Sequence, residues 1–396
     1  MGSDMDSTEN PDIDYLERVR ALAPTILGAA DQAERDHALP AELVAALHAA
    51  GLVRLLLPVP YGGGEVDLPT FFQVIEAVAR HDASTAWCLC QSNGCAMTAA
   101  YMDALVARDI WGDDPAASVA WGPGKATVTE VEGGYRVTGN WMFASGGRHA
   151  TWFGGHTNIL DTDENPTRNA DGTPAVRTMM MPAANVPMKA IWEVVGLLGT
   201  GSDVFAVEDL FVAKEYTVLR DILTERRYHA PLYHFPAMSL YAAGFAGTAL
   251  GIARSMYESF MEIALEKTPR LQRSRLAEDA VVQWQVAQAK AKLESARAYL
   301  LDELSQVWDG VVASGTLTVE QRMRIRLCST YAIHQAKEAA DTVYEMAGAT
   351  AIFNANPFER RFRDLHTVTQ QLQGRKSHFQ TVGAFLFGNT PDFSVS

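Results

Sequence analysis

Residues 133–146 read "GGYRVTGNWMFASG". A Gly-Gly pair leads into alternating residues, Tyr135 and Val137 against Arg136 and Thr138, which is the pattern of a turn entering a hairpin strand. Similar short runs surround it: "SVAWGPG" (118–124), "ATWFGGHTN" (150–158), "AVRTMMMP" (175–182) and "DVFAVEDLFV" (203–212). They predict a β domain over residues 116–220, within the usual domain size. The stretch "NILDTDENPTRNADGTPA" (158–175) reads as a polar loop between two of its strands.

On both sides the period changes to that of helices. Residues 12–115 hold "DYLERVRALAPTILGAADQAERDH" with apolar residues at three-to-four spacing, and "PAELVAALHAAGLVRLL", which begins with Pro and breaks at Gly51. "ASTAWCLCQSNGCAMTAAYM" (83–102) carries no charge, so it predicts a helix buried all round. Long helical periods return at about residue 237. Three long helices are expected there, the first with an Ala/Gly-rich start that permits close approach, the third stopped at Gly348. A shorter fourth is expected after Asp364, completing a four-helix bundle in a third domain, 221–396.

Composition narrows the function. The formal net charge is −14, which argues against nucleic acid or an anionic membrane as partner. Cys88, Cys90, Cys95 and Cys328 form no CxxC pair and lie beside no pair of His at ligand spacing. They read as buried, reduced thiols, with no metal site expected. No apolar run reaches membrane-spanning length and the first residues are acidic and polar, so a cytoplasmic protein is expected.

The order of helices, β domain and helical bundle, together with "DASTAW" (82–87), "GGYRVTGNWMFASG", "VVGLLGTGSDVFAVEDLFV" (194–212) and "NPFERRFRDLHT" (356–367), resembles the acyl-CoA dehydrogenase superfamily. Within it the chain resembles the oxygenase components of two-component flavin-dependent monooxygenases, over residues 15 to 388. The resemblance implies an α+β, mostly α fold: N-terminal helical domain, central β domain, C-terminal four-helix bundle. It implies reduced flavin, FMNH2 or FADH2, delivered by a separate NAD(P)H:flavin reductase. O2 would be co-substrate, a C4a-(hydro)peroxyflavin the oxygen donor, a small organic molecule the acceptor, and a homotetramer the assembly. No GxGxxG follows a strand, which accords with flavin reduction by a partner.

The same resemblance assigns residues. Ser145 would donate a hydrogen bond near the flavin ring edge, in the strand end that also carries Trp141 and Gly146. Trp121 stands where the dehydrogenase branch has a Thr-Glu-Pro loop. Thr200 and Ser202 in "GTGSD" would bond the flavin, or make ordinary turn contacts. Arg363 would attract the anionic cofactor, or form an ion pair with Asp364. Trp87 and Asn93 would line the substrate pocket.

The proton acceptor is the open question. Acyl-CoA dehydrogenases use a Glu, either about where Leu372 falls or about where residues 237–242, "AMSLYA", fall; neither place holds an acid. Ordinary α-proton abstraction lacks its base. The monooxygenase branch usually has a His about where Gln371 falls, and Gln accepts no proton at neutral pH. His378, seven residues on, is the remaining titratable candidate: it either swings into the pocket as the catalytic base or sits on the surface, the reading preferred here, in which case Gln371 would orient substrate or flavin by hydrogen bonds. The alternatives left open are a dehydrogenase-like flavin oxidoreductase with O2-independent chemistry and a non-catalytic helical scaffold. Without the usual His, a substrate that is nucleophilic without deprotonation is favoured over a phenol.

Overall fold

The computed structural model describes residues 13–158, 167–168, 176–219 and 222–391. The loop expected at 158–175 lies almost wholly outside the described residues. Five helices come first: α1 (Tyr15–Asp36), α2 (Ala41–Ala49), α3 (Leu68–Ala79), α4 (Ala83–Ala96) and the single turn α5 (Ala104–Ala107). Their starts are set by side-chain caps. Asp14, Asp67 and Asp82 accept the backbone N–H of Glu17, Thr70 and Thr85 at 2.9, 2.6 and 2.7 Å, satisfying donors that a helix start leaves open. As expected from its composition, α4 is buried on nearly all sides.

Among the described residues the β domain follows in eight strands: β1 (Val119–Gly122), β2 (Gly124–Val131), β3 (Gly134–Ala144), β4 (Trp152–Asn158), β5 (Val176–Pro182), β6 (Met188–Lys189), β7 (Asp203–Ala213) and β8 (Thr217–Val218). They form two four-stranded sheets, β1-β4-β5-β8 and β2-β3-β7-β6. The expected hairpin is β2–β3, closed by Glu132 and Gly133 between the paired Val131 and Gly134. Trp141, Phe153, Met179, Met181 and Phe205 fill the space between the sheets.

The C-terminal part holds α6 (Ala237–Glu266), α7 (Ala280–Ser314), α8 (Val319–Ala347), α9 (Pro357–Val368) and α10 (Ser377–Leu386). The fourth helix was expected after Asp364, but α9 begins at Pro357, because Asn356 caps the Phe358 N–H and Pro suits the first helical position. Asp364 therefore lies inside a helix, and α10 is an additional short one. The close approach expected of α6 is real: a Cβ on Gly244 would fall 2.4 Å from Cys90 Sγ of α4. Helices α3 and α4 press directly on α6, so the N-terminal and C-terminal helices share one continuous apolar core. Among the described residues no helix is long and apolar enough to cross a membrane.

Candidate active site

The end of β3 turns sharply. A bulge separates Trp141 from Ala144, and Phe143 takes φ 59°, a region that costs a bulky residue strain. Its side chain remains half exposed and meets Trp192 edge-on at 6.0 Å. Gly146 takes φ 75°, and its N–H reaches Thr200 O at 2.9 Å, bringing the "GTGSD" turn alongside.

This turn assembles a chain of hydrogen bonds. Trp87 Nε1 donates to Ser145 Oγ at 3.0 Å. Ser145 Oγ and Ser202 Oγ are 2.7 Å apart, as are Ser202 Oγ and Thr200 Oγ1. Thr200 Oγ1 donates to Leu197 O at 2.7 Å. An indole N–H only donates and a carbonyl only accepts, so the two ends fix the direction between them. Ser145 donates to Ser202, and Ser202 donates to Thr200. Ser145 was expected to donate toward a flavin; its proton is already engaged, and its remaining lone pair makes it an acceptor. All three hydroxyls are buried, where satisfied polar chains strengthen one another.

The chain is anchored in the C-terminal bundle. Leu197, at φ 57°, donates its N–H to Asp364 Oδ1 at 2.6 Å, while Trp192 Nε1 donates to the same Leu197 O at 3.0 Å. Burial pushes the Asp364 carboxyl up to about 7, against the opposing bond from Leu197. Asp203 holds the neighbouring segment, accepting from Ile191 N, Trp192 N and Arg148 Nε at 2.8, 3.0 and 2.8 Å. On the helical side Trp87 stacks on Phe245 at 4.0 Å, and Phe245 on Tyr241 at 5.7 Å, forming an aromatic wall between α4 and α6.

Other expected site residues lie elsewhere. Trp141 is fully buried between the sheets, stacked on Phe205, with Nε1 bonded to His156 O, so no ring surface is left for a cofactor. Trp121 sits in β1 with its ring tilted against His156 at 4.8 Å. Asn93 is fastened to backbone, accepting from Leu56 N and donating to Leu52 O and Leu89 O, so it holds α4 against the preceding turn. Arg363 does not pair with Asp364; it binds Glu359, Glu34 and Val195 O, which neutralises the charge offered to an anionic cofactor. Arg360 likewise pairs with Glu34 and Asp31.

His378 is not on the surface. It is buried in α10, its Nδ1 3.1 Å from Thr330 Oγ1, and burial, with Arg326 and Arg375 nearby, lowers it to about 4. Gln371 caps the following turn, its Oε1 accepting Gln373 N at 2.6 Å, while its Nε2 is buried with no partner. The sequence reading missed Tyr241, Phe245, Phe143 and Trp192. The first two carried a signal, aromatics one helical turn apart in an Ala/Gly-rich helix start; the outward Phe143 followed from no local pattern.

Comparisons with known proteins agree on one family. The descriptions "Acyl-CoA dehydrogenase, N-terminal domain" and "Acyl-CoA dehydrogenase, C-terminal domain" match residues 14–104 and 243–374. The indole-3-acetate monooxygenase of Pseudomonas putida is 30% identical over 362 residues, covering 90% of each chain. The flavin-dependent monooxygenase oxygenase subunit HsaA of Rhodococcus jostii (strain RHA1) is 26% identical, covering 89% of this chain and 92% of the other. Among solved structures, the 3-HSA hydroxylase from Rhodococcus sp. RHA1 superimposes with TM-score 0.87 at 25% identity, covering 97% of this chain and 99% of that one. XiaF from Streptomyces sp., in complex with FADH2 and glycerol, shares the fold with TM-score 0.85 at 23% identity, over 95% and 96% of the two chains.

Proposed function

This chain belongs to the acyl-CoA dehydrogenase superfamily as the oxygenase component of a flavin-dependent monooxygenase, and we propose that it oxygenates an electron-rich aromatic substrate without a protein base. Reduced flavin, when bound, supplies the two electrons with which one atom of O2 enters the substrate and the other leaves as water. A separate NAD(P)H:flavin reductase provides it.

The carrying observation is the state of the three positions where a base would act. Gln371 and Leu372 cannot accept a proton, and His378 is buried in the bundle with its Nδ1 on Thr330. An indole-like ring attacks an electrophilic oxygen through its own π-electrons, whereas a phenol gains from deprotonation. The indole-3-acetate monooxygenase of Pseudomonas putida, among the relatives, bears a name of that substrate class.

The residues fit a reduced flavin. Its ring carries N–H groups, and Ser145 Oγ keeps one lone pair to accept from such a group. The half-exposed Phe143, held outward by its backbone, offers an apolar face beside Ser145. In this reading Ser145 orients the flavin; Ser202 and Thr200 hold Ser145 in its acceptor state; Gly146 keeps the two turns in contact. Trp87, Phe245 and Tyr241, already stacked on one another, form an apolar wall that an aromatic substrate would meet edge-on or offset. The buried hydroxyl chain excludes water from the place where oxygen is transferred, which suppresses wasteful peroxide release.

The chain also fits a homo-oligomer, taken here as a tetramer. Leu265 and Leu271, at and beyond the end of α6, and Val281 and Trp284 of α7 are exposed apolar side chains, and a surface of that kind marks an interface. Light scattering at micromolar concentration is expected to give an assembly, and a monomer would end this assignment.

The test of function mixes the oxygenase, reduced flavin and O2 with matched indoles and phenols, scoring oxygenated product against H2O2. Coupled product from indoles, with phenols mainly uncoupled, is expected. Coupling restricted to phenols would overturn the base-free reading.

A further inference from the structure

Beside the aromatic wall, α6 shows a second face. Met238, Ser239 and Ala242 line a small half-open hollow of about 20 Å³, room for a water or a carboxylate head rather than a whole ring, closed on the other side by Arg322 and Arg326 of α8 and by Gln373. Arg326 is half-buried, and among the described residues it has no hydrogen bond or ion pair. The neighbouring charged and titratable groups do not compensate it: Arg322 repels it, and the buried ring of His378 stays neutral beside it. A half-buried guanidinium beside a second cation, with no counter-ion among the described residues, gains from an anion, so the hollow has the character of an anion site.

We propose that Arg326, with Arg322 beside it, binds the carboxylate of the substrate, so that the enzyme acts on an aromatic acid rather than a neutral arene. This rests on the aromatic-substrate reading above and deepens it. A planar fork of N–H donors matches a carboxylate with two parallel bonds. Ser239 and Gln373 add a hydroxyl and an amide at the rim of the same hollow. Phe245 and Met238 lie two turns apart on α6, about 10 Å along its axis, a span suited to a ring at one end and a short acidic side chain at the other. The walls favour a carboxylate over a flavin phosphate. Met238 and Ala242 are apolar, and the hollow has no glycine-rich run of N–H groups of the kind that cradles phosphate.

The test uses the full-length oxygenase with its reduced flavin, and indole-3-acetate against indole-3-acetamide, which differ in charge but hardly in shape. The acid is expected to exceed the amide in kcat/KM by about 10- to 100-fold, the range for a charge-assisted pair. Arg326→Gln is expected to collapse that ratio toward one, and Arg326→Lys to restore part of it, which separates lost charge from lost fold. Equal use of acid and amide by the unaltered enzyme overturns the proposal. So does a ratio unchanged in Arg326→Gln with weakened binding of reduced flavin, which would assign the arginines to the flavin phosphate. Direct titration of indole-3-acetate separates this inference from its premise. Arg326-dependent binding without oxygenation keeps the carboxylate site and removes the aromatic-oxygenation reading; absence of binding removes the site.

Discussion

On the side of the pocket built by the β domain, every hydroxyl from Ser145 to Thr200 has a donor behind it and an acceptor ahead. On the side built by residues 371–374 and α8, Gln371 Nε2 is buried without a partner and Arg326 has none among the described residues. The first arrangement is complete before any ligand arrives. A complete buried chain holds its atoms in place, and preorganised dipoles of this kind lose nothing to reorganisation during reaction. The second is incomplete: the buried Gln371 Nε2 costs free energy until something accepts from it, and the half-buried Arg326 has no counter-ion among the described residues. In the proposed reading the difference divides the labour: a rigid platform for the cofactor on one side, and a surface that gains from binding substrate on the other.

The largest effect is expected where the complete side is cut. Ser145→Ala leaves the Trp87 N–H without its acceptor and Ser202 without its donor. Product formation per flavin consumed should fall roughly 10- to 100-fold, with H2O2 rising in its place. Unchanged coupling would mean that the chain supports the fold and not the reaction.

On the incomplete side, Gln371→Glu keeps the acceptor for Gln373 N and removes the unpartnered donor. The turn should survive, and kcat/KM should fall by about tenfold, the usual range for one buried donor to a ligand. Gln371→Leu removes both functions and should be worse. Equal activity of the Glu variant would show that Nε2 faces no ligand.

The anchor between the two sides is read through pH. The folded-state pKa of Asp364 is about 7, raised from the ordinary 3.8. The native state then binds a proton between those values that the unfolded chain has released, so this group's contribution to stability declines as pH rises from about 4 to about 7. Asp364→Asn keeps an acceptor for Leu197 N and cannot titrate. Its unfolding free energy should lose that decline and should exceed the parent's above pH 7, by at most about 4 kcal/mol, with the melting temperature rising accordingly. Parallel pH curves for the two proteins would refute the raised value.

The smallest effect belongs to His378. Its folded pKa, about 4, lies below the ordinary 6.5. The sign is opposite to that of Asp364: the contribution is full above about 6.5 and lost as pH falls toward 4. Turnover at neutral pH should change less than about twofold in His378→Asn, with no limb of the pH–rate profile removed. A large loss with a shifted profile would restore His378 as a base and return phenols as substrates.

Much of this architecture was legible in residue order. Alternation in "GGYRVTG", uncharged composition in α4 and three-to-four spacing after residue 237 each follow from which faces an element buries, and that is written locally. The turn carrying Ser145, Thr200 and Ser202 was legible as a place rich in hydroxyls and glycine. The direction of its hydrogen bonds was not, because that depends on Trp87 and Leu197, which are 58 and 52 residues from Ser145 along the chain.

By itself the sequence determined the order of helix, sheet and helix, the buried character of α4, and the lack of an acid or His at residues 371 and 372. These depend on composition and period, which need no partner to be read. Only the tertiary structure decided which polar groups are spent and which are open. Arg363, conspicuous in sequence, is consumed by Glu34 and Glu359. Asp364, read as its ion partner, instead bonds Leu197 in the β domain. Arg326, inconspicuous in a helix of alternating cations, is left facing a hollow. The reason is physical: a charge is neutralised by whatever lies within a few ångströms, and residues that close are brought together by the fold, not by their place in the chain.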